Sequence, residues 1–486
     1  MKGAGWAAYR NAARAASAGA YFGCRPLAWG PLLNLSSERQ VLALPQFSIR
    51  GGVHPLAGSH GGKSATSGVP IRPFVPSVVE LSMSLFLGKP SAPLVKPGDH
   101  VKLGQVIGEA GGFVSLPVHA TVSGEVVSVK PKMMLTDRPE MTVTIRNDGL
   151  EEWAELTPLG KAVEDVDPKA IAPAIQAAGI CGLGGAAFPT HVKLAVPEGK
   201  SCDVIIINGA ECETHVTADH RLLLEEPARI LNGLRLAMRA AGAKEGVVAI
   251  EDNKKDAVAV MRKAAAGLAG LRVEALKAKY PQGSEKQLIY AVTGREVPSK
   301  GLPIDVGVVV LNAGTAAAIS DAVLLGRPLI ERVTTVTGCV KEPANLLARI
   351  GAPVREMVEA CGGYTQEPYR LIMGGCMTGL CVPSDALPIG KRTNCVVALT
   401  EKEAKAQAEG PCIRCGRCVD TCPMGLTPYK MKHLCDRGDL KAAAANDVME
   451  CVVCGCCTYS CPARRQLTSV FKNAKDAIAR EARRAK

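Results

Sequence analysis

Aromatic side chains make up only 4% of this 486-residue sequence, with three tryptophans. That is too few for a surface that grips single-stranded nucleic acid by base stacking. Long apolar runs are missing too. No stretch approaches the ~18–20 residues that cross a bilayer as a helix, so the expectation is a soluble chain or one held at a membrane surface through a partner. Excess charge is absent from the body of the chain. The formal net charge is +12, yet residues 1–50 hold six basic residues against one acidic, and residues 462–486 hold eight against two. Two basic ends on a near-neutral body do not make a nucleic-acid-binding protein. With 47% hydrophobic and 21% charged residues the composition is globular, which excludes global disorder. At this length about three or four domains are expected.

Cysteine, by contrast, is abundant. There are 19, and ten fall between 412 and 461. A secreted disulfide scaffold would be short and preceded by a signal peptide, so a reducing compartment is expected. Within the dense region two runs repeat one spacing: Cys412-x2-Cys415-x2-Cys418-x3-Cys422-Pro423 and Cys451-x2-Cys454-x2-Cys457-x3-Cys461-Pro462. This is the spacing of bacterial two-cluster ferredoxins, in which three close thiolates hold one iron–sulfur cube and the fourth reaches the other. It predicts one 4Fe–4S cluster on Cys412, Cys415, Cys418 and Cys461, and a second on Cys451, Cys454, Cys457 and Cys422. Gly416 and Gly455 suit the tight loops, and Cys456 is an extra thiol outside the ligand set. Zinc also uses C-x2-C pairs, but rarely a third and fourth cysteine in this spacing twice over. The remaining cysteines read as buried, unreactive thiols.

Residues 51–75 are rich in Gly and Pro and read as an extended lead-in. From 77 to 146, short β-branched runs alternate with turn signals at Pro97-Gly98-Asp99 and Ser123-Gly124. They predict a small flattened barrel of the biotinyl/lipoyl type. Its hairpin tip reads His119-Ala120-Thr121 and lacks a modifiable lysine, so the module is structural, and His54 and His119 are loop or core residues. Residues 165–330 alternate between helix and strand: a helix at 168–178, a strand at 204–207, one helix over 219–241 stopped by Gly242, a strand at 247–250, a helix at 253–267, strands at 272–276 and 304–311, and a helix at 314–325. Residues 331–373 read as strand, short helix ending at Gly362-Gly363, and strand. The segment 400–475 is helical between the cysteine runs.

Two stretches of the α/β region carry chemistry. Gly179-Ile180-Cys181-Gly182-Leu183-Gly184-Gly185-Ala186-Ala187-Phe188-Pro189-Thr190 follows a helix rather than a strand, so it is not the usual dinucleotide fingerprint. Its glycines nevertheless permit close backbone approach to a flat ring or a phosphate, and Lys193 downstream offers a positive charge. The 204–208 strand ends at Gly209-Ala210-Glu211-Cys212-Glu213, and in open α/β sheets ligands sit at the carboxyl ends of strands. A two-electron donor feeding one-electron clusters needs a flavin between them.

In order along the chain, GGVHP (51–55), PVHATVSGEV (117–126), GLGGAAFPTHVKL (182–194), INGAECE (207–213), YPQGSE (280–285), LNAGTAAAI (311–319), VTGCVKEPAN (336–345) and the two cysteine runs make residues 46–475 resemble the C subunit of the Rnf complex. That is a membrane-bound ferredoxin:NAD oxidoreductase family related to the flavin- and NADH-binding subunit of respiratory complex I. The resemblance implies a multidomain α/β and α+β chain: an N-terminal extension at 1–45, disordered or a targeting segment; a barrel-sandwich hybrid domain at 46–146; an FMN/NADH-binding α/β domain at 147–330; a β-grasp domain of the soluble-ligand-binding type at 331–399; a helical two-cluster ferredoxin-like domain at 400–475; and a basic tail at 476–486. It implies FMN and NAD(H) contacts at Gly182, Gly184, Gly185, Lys193, Asn208, Glu211, Glu213, Tyr280, Gly283, Glu285, Asn312 and Thr315. It also implies a peripheral place on the cytoplasmic face of the cell membrane, membrane subunits as partners, and ferredoxin meeting other subunits. Three positions depart from the family pattern: Ala187 for Gly, Thr214 for Pro and Ala313 for Asn. Two other readings share these segments, a soluble flavin/iron–sulfur reductase of the cobalamin-reductase type and an electron relay without nucleotide binding.

Overall fold

The computed structural model describes residues 47–55, 61–135 and 138–484; the extension expected at 1–45 lies outside them. The first module is a pair of small antiparallel sheets. One runs in the order Val78–Ser82, Pro139–Asn147, Gly124–Met133, His100–Val101, and the other in the order Ala92–Pro93, Val106–Glu109, Val118–His119. Alternate residues Val79, Leu81, Val126, Val143 and Ile145 point inward and are buried, as period-2 patterning requires. Gly124 is obligatory at its place: it has φ +141°, and a Cβ there would lie 2.0 Å from the Arg146 carbonyl oxygen. His119 is a core residue, and desolvation pushes its pKa down to about 3.

The central module is a four-stranded parallel sheet in the order Leu271–Leu276, Glu245–Glu251, Val204–Gly209, Val308–Asn312. The helix Pro168–Ala177 begins where the Asp167 carboxylate accepts from the Lys169 amide at 3.0 Å. The single helix expected over 219–241 is two helices, Ala218–Glu225 and Pro227–Ala241, because Pro227 cannot continue the first and instead starts the second. The second ends at Gly242 with φ +70°. It packs on Ala313–Leu325 at backbone distance: a Cβ on Gly233 would fall 1.7 Å from the Ala316 oxygen. The strand expected from 304 starts at Val308, after a 3-10 turn Pro303–Val306. A helix Glu285–Thr293, which the sequence pattern did not suggest, covers the sheet.

Beyond it lies a six-stranded mixed sheet in the order Ile71–Phe74, Ala344–Arg349, Glu331–Gly338, Cys395–Leu399, Arg370–Met373, Leu380–Val382. Two expectations are corrected here. Ala344–Arg349 is a strand, and only Val354–Ala360 is helical; pairing with Glu331–Gly338 overrides the helical leaning of the ANLLAR segment. The lead-in is not merely irregular, because Ile71–Phe74 pairs parallel to Ala344–Arg349 as an edge strand, the position where Pro73 is tolerated.

In the cysteine-rich segment Pro428–Asp436, Leu440–Ala445 and Leu467–Arg484 pack around Met431, Ala443, Val448, Leu467 and Phe471. The last helix continues through residues 476–484. Among the described residues no helix is long and apolar enough to cross a membrane.

Candidate functional site

Strand order fixes where a ligand can sit. From Val204–Gly209 the chain proceeds to one side of the sheet, then returns to add Val308–Asn312 on the other. The switch point of the sheet therefore lies between these two strands, and ligands bind outside the carboxyl ends of strands at such a point. Asn208 and Asn312 stand there as register partners. Asn208 Nδ2 donates to the Gly283 oxygen at 2.7 Å, and its Oδ1 accepts from the Ala210 amide at 3.2 Å. Asn312 caps the following helix by accepting from the Gly314 amide at 2.9 Å, and its Nδ2 donates to Asp219 Oδ2 at 2.6 Å.

The glycine loop closes over this edge. The Gly182 amide donates to the Phe188 oxygen at 2.9 Å, the Leu183 amide to Thr315 Oγ1 at 3.0 Å, and Gly184, Gly185 and Ala186 are exposed. Gly184 passes so close to Asn312 that a Cβ would meet its amide nitrogen at 3.0 Å. The Gly184 amide has no hydrogen-bond partner among the described residues. Ala187 takes φ +53°, the left-handed conformation that explains why glycine suits this position. Lys193 donates to Glu285 Oε1 at 2.7 Å and to the Val310 oxygen at 3.2 Å, so both lie at the rim.

The acidic strand end is held by two lysines that sequence reasoning missed, Lys254 buried and Lys63 half-buried. Lys63 Nζ donates to the Glu211 oxygen at 2.7 Å and the Val216 oxygen at 2.5 Å and lies 3.8 Å from Glu211 Oε2. Lys254 Nζ donates to the Ala210 oxygen at 2.7 Å and to Glu251 Oε2 at 3.1 Å. Glu211, at φ +46°, accepts from the Asp219 and His220 amides at 2.6 and 3.3 Å and so caps the helix Ala218–Glu225. Burial pushes its pKa up to about 7, with Lys63 the main counterweight.

Glu213 and Tyr280, like Glu211, turn away from the switch point. Glu213 accepts from the Met377 and Thr378 amides at 3.1 and 2.8 Å and from the Thr378 hydroxyl, tying the acidic loop to a turn of the mixed sheet. Tyr280 Oη donates to the Cys454 oxygen at 2.7 Å. Thus the expected residues split. Gly182, Gly184, Gly185, Asn208, Gly283, Asn312 and Thr315 gather at the strand ends, with Lys193 and Glu285 at the rim. Glu211, Glu213 and Tyr280 face a helix terminus, the mixed sheet and the cysteine loops.

The two cysteine runs repeat one backbone conformation. Positive φ occurs at Arg414 and Gly416 in the first and at Val453 and Gly455 in the second, then at Gly425 and Arg464 beyond the fourth cysteines. Such turns point successive amides inward, toward negative charge. The Val453 amide donates to Cys451 Sγ, and the Leu426 amide to Cys422 Sγ, both at 3.4 Å. A small cavity is lined by Cys422 from the first run and by Cys451, Cys454 and Cys457 from the second. Burial raises the pKa of the Cys418 thiol, with Cys461 and Cys412 adding to the shift. Among the described residues no three His, Cys, Asp or Glu side chains converge tightly enough for a single metal ion; a four-iron cube spaces its thiolates more widely than one ion does. Cys456 is buried, with its Sγ 3.9 Å from the Tyr280 oxygen. Between cavity and switch point lies an apolar patch of Val53, Tyr280 and Cys456, joined by Cys212, Met377 and Cys454.

The chain is 43% identical over 440 residues to the C subunit of the Na(+)-translocating ferredoxin:NAD(+) oxidoreductase complex of Acetobacterium woodii, covering 90% of this chain and 98% of that one. The chain belongs to the C-subunit family of the Rnf-type ion-translocating oxidoreductases. A further member, the C subunit of the ion-translocating oxidoreductase complex of Rhodobacter capsulatus, is 41% identical over 84% of this chain and 78% of its own length. Within this Rnf-type chain, residues 47–150 match the RnfC barrel sandwich hybrid domain, 175–321 the Nuo51 FMN-binding domain, and 333–380 the SLBB domain. Among solved structures an NAD+-reducing NiFe hydrogenase is similar, at 21% identity and TM-score 0.47 over 66% of this chain and 64% of that one.

Proposed function

We propose that this chain is the peripheral electron-transfer subunit of an Rnf-type complex, exchanging electrons between NAD(H), FMN and two 4Fe–4S clusters. The observation that carries this reading is the loop 280–283. Its Gly283 is bonded to Asn208 at the switch point, and its Tyr280 is bonded to Cys454 beside the four-cysteine cavity. One short segment thus runs from the switch point to the cysteine cavity.

The residues fit the groups. The unpartnered Gly184 amide, the exposed glycines and the nearby Asn208 and Asn312 side chains match a flat, hydrogen-bonding ring with an anionic tail. The doubled turn conformation, the N–H···S bonds and the cavity shared by both runs match cubes with exchanged fourth ligands. Flavin supplies the exchange between a two-electron hydride and single electrons. The protein's part is to hold Asn208, Asn312 and the glycine loop in one register, and to fill the space toward Cys454 with Val53, Tyr280, Met377 and Cys212 so that water is excluded there. We assign 400–475 as the two-cluster module, with Cys412, Cys415, Cys418 and Cys461 on one cube and Cys451, Cys454, Cys457 and Cys422 on the other.

Membrane subunits of such a complex would be the docking partners, with ferredoxin engaging those subunits, on the cytoplasmic face where NAD(H) is available. The many unpaired thiols support a reducing compartment. The test is FMN titration of the anaerobically reconstituted chain, followed by flavin fluorescence. The chain is expected to quench and retain FMN, and Gly184→Val to weaken uptake at least tenfold with iron content intact. A reconstituted chain that takes up no FMN would overturn the reading.

A further inference from the structure

Arg332 lies on the Glu331–Gly338 strand of the mixed sheet, outside the α/β module, yet its side chain reaches into the base of the glycine loop. It is 5% exposed. Nη1 donates to the Leu183 oxygen at 2.9 Å and the Lys391 oxygen at 2.6 Å, and Nε donates to the Val333 oxygen at 3.2 Å. All three acceptors are neutral carbonyls. Among the described residues it forms no ion pair; its main electrostatic counterweight is Asp219, which is itself bonded to Asn312. Desolvation lowers the guanidinium only to about 10, so it remains a cation at neutral pH. A buried charge without a carboxylate is costly, and its field is strong in a medium of low dielectric.

The contact has a geometric consequence. The Leu183–Gly184 peptide is trans, so its C=O and N–H point in opposite directions. Arg332 holds the carbonyl toward the protein interior, and the Gly184 amide therefore faces the open side, where it has no partner. Thr315 Oγ1 fixes the preceding amide. A second buried basic side chain, Lys391, donates to the Gly179 oxygen at 2.7 Å, so the loop is gripped at its start and near its tip.

We propose that Arg332 is a positioning residue for the flavin: it aims the Gly184 amide at the cofactor and sets a buried positive charge, hydrogen-bonded only to carbonyls, behind the loop that favours an anionic cofactor group there. The inference rests on the flavin reading given above. It makes the mixed sheet a participant in cofactor binding rather than a spacer.

The experiment compares reconstituted wild type, Arg332→Met and Arg332→Lys by FMN dissociation constant and by spectroscopic redox titration of the bound flavin, with iron content as the control for folding. Arg332→Met is expected to raise the dissociation constant at least tenfold and to lower the flavin midpoint potential. Arg332→Lys keeps the charge and one carbonyl contact and should recover most of both. Should Arg332→Met fail to fold, Thr315→Val frees the adjoining Gly182–Leu183 peptide, which sets the orientation of the next one, and must weaken FMN binding too. Wild-type affinity and potential in Arg332→Met, or in Thr315→Val where that variant stands in, would overturn the inference while leaving the flavin reading intact. A wild-type chain without FMN would overturn that reading, and this inference with it.

Discussion

Replacing Lys63 with Met tests how the acidic strand end is held. In the native chain the ammonium satisfies two carbonyl oxygens and faces the Glu211 carboxylate at 3.8 Å. Each carbonyl that loses a charged donor costs roughly 1.5–3 kcal/mol, and removing one partner of a buried ion pair costs about 3–5 kcal/mol. These losses overlap, so about 3–5 kcal/mol is expected for the segment, or at least a ~100-fold rise in its opening. The pH dependence has a definite sign. Burial raises the folded pKa of Glu211 to about 7, above its unfolded value near 4.5. The folded state therefore keeps a proton that the unfolded state has lost, and stability falls as pH rises between those values. Lys63 is what holds that pKa down, so Lys63→Met pushes it higher and the fall extends to higher pH. Hydrogen exchange of peptides spanning 210–219, corrected for intrinsic rates, should show a larger penalty at pH 8 than at pH 6. Adding Glu211→Gln should remove the difference. A change below about fivefold, or the same change at both pH values, would show that Lys63 does not hold the strand end in this way.

Cys422→Ser should disturb the EPR signal of the cluster on Cys451, Cys454 and Cys457 and spare the other, although Cys422 belongs to the first run; loss of the first-run signal instead would mean uncrossed ligation. Ala187→Gly relieves a φ of +53° that costs an alanine roughly 1–2 kcal/mol. Set against the ~0.4–1 kcal/mol entropy cost of glycine in the unfolded chain, thermal denaturation should show a gain of up to ~1.6 kcal/mol, and a clear loss would contradict the strain argument. Glu213→Ala removes the acceptor for the Met377 and Thr378 amides; exchange of 375–379 should accelerate by about tenfold or more, and unchanged protection would show that the turn is held by other contacts.

The repeated turns of the two cysteine runs were legible because they are local: each run sets its own backbone, and Gly416 and Gly455 fall where positive φ is needed. The strand carrying Asn208 was legible as a short, wholly apolar run before polar residues. Other features depend on partners far along the chain. ANLLAR has helical residues and becomes a strand only because Glu331–Gly338 lies beside it. Ile71–Phe74 has no clean alternation and a proline, and only an open sheet edge makes it a strand. Lys63 and Arg332 act on atoms 148–153 positions away, and a buried cation leaves no periodic trace. Glu211, Glu213 and Tyr280 stand out in the sequence as polar groups near a strand end, but composition does not say which way each will face. The break at Glu226-Pro227, by contrast, was available to sequence reasoning, since proline there outweighs the continuous apolar periodicity.

Electron passage from nucleotide through flavin to iron is best examined by an anaerobic NADH titration of the FMN-reconstituted chain, followed by flavin absorbance and EPR. About eight iron atoms per chain are expected, with bleaching of the flavin by NADH and the rise of two interacting reduced-cluster signals alongside it. A flavin that stays oxidised under excess NADH, or iron that stays silent once the flavin has bleached, would rule out electron transfer along this route.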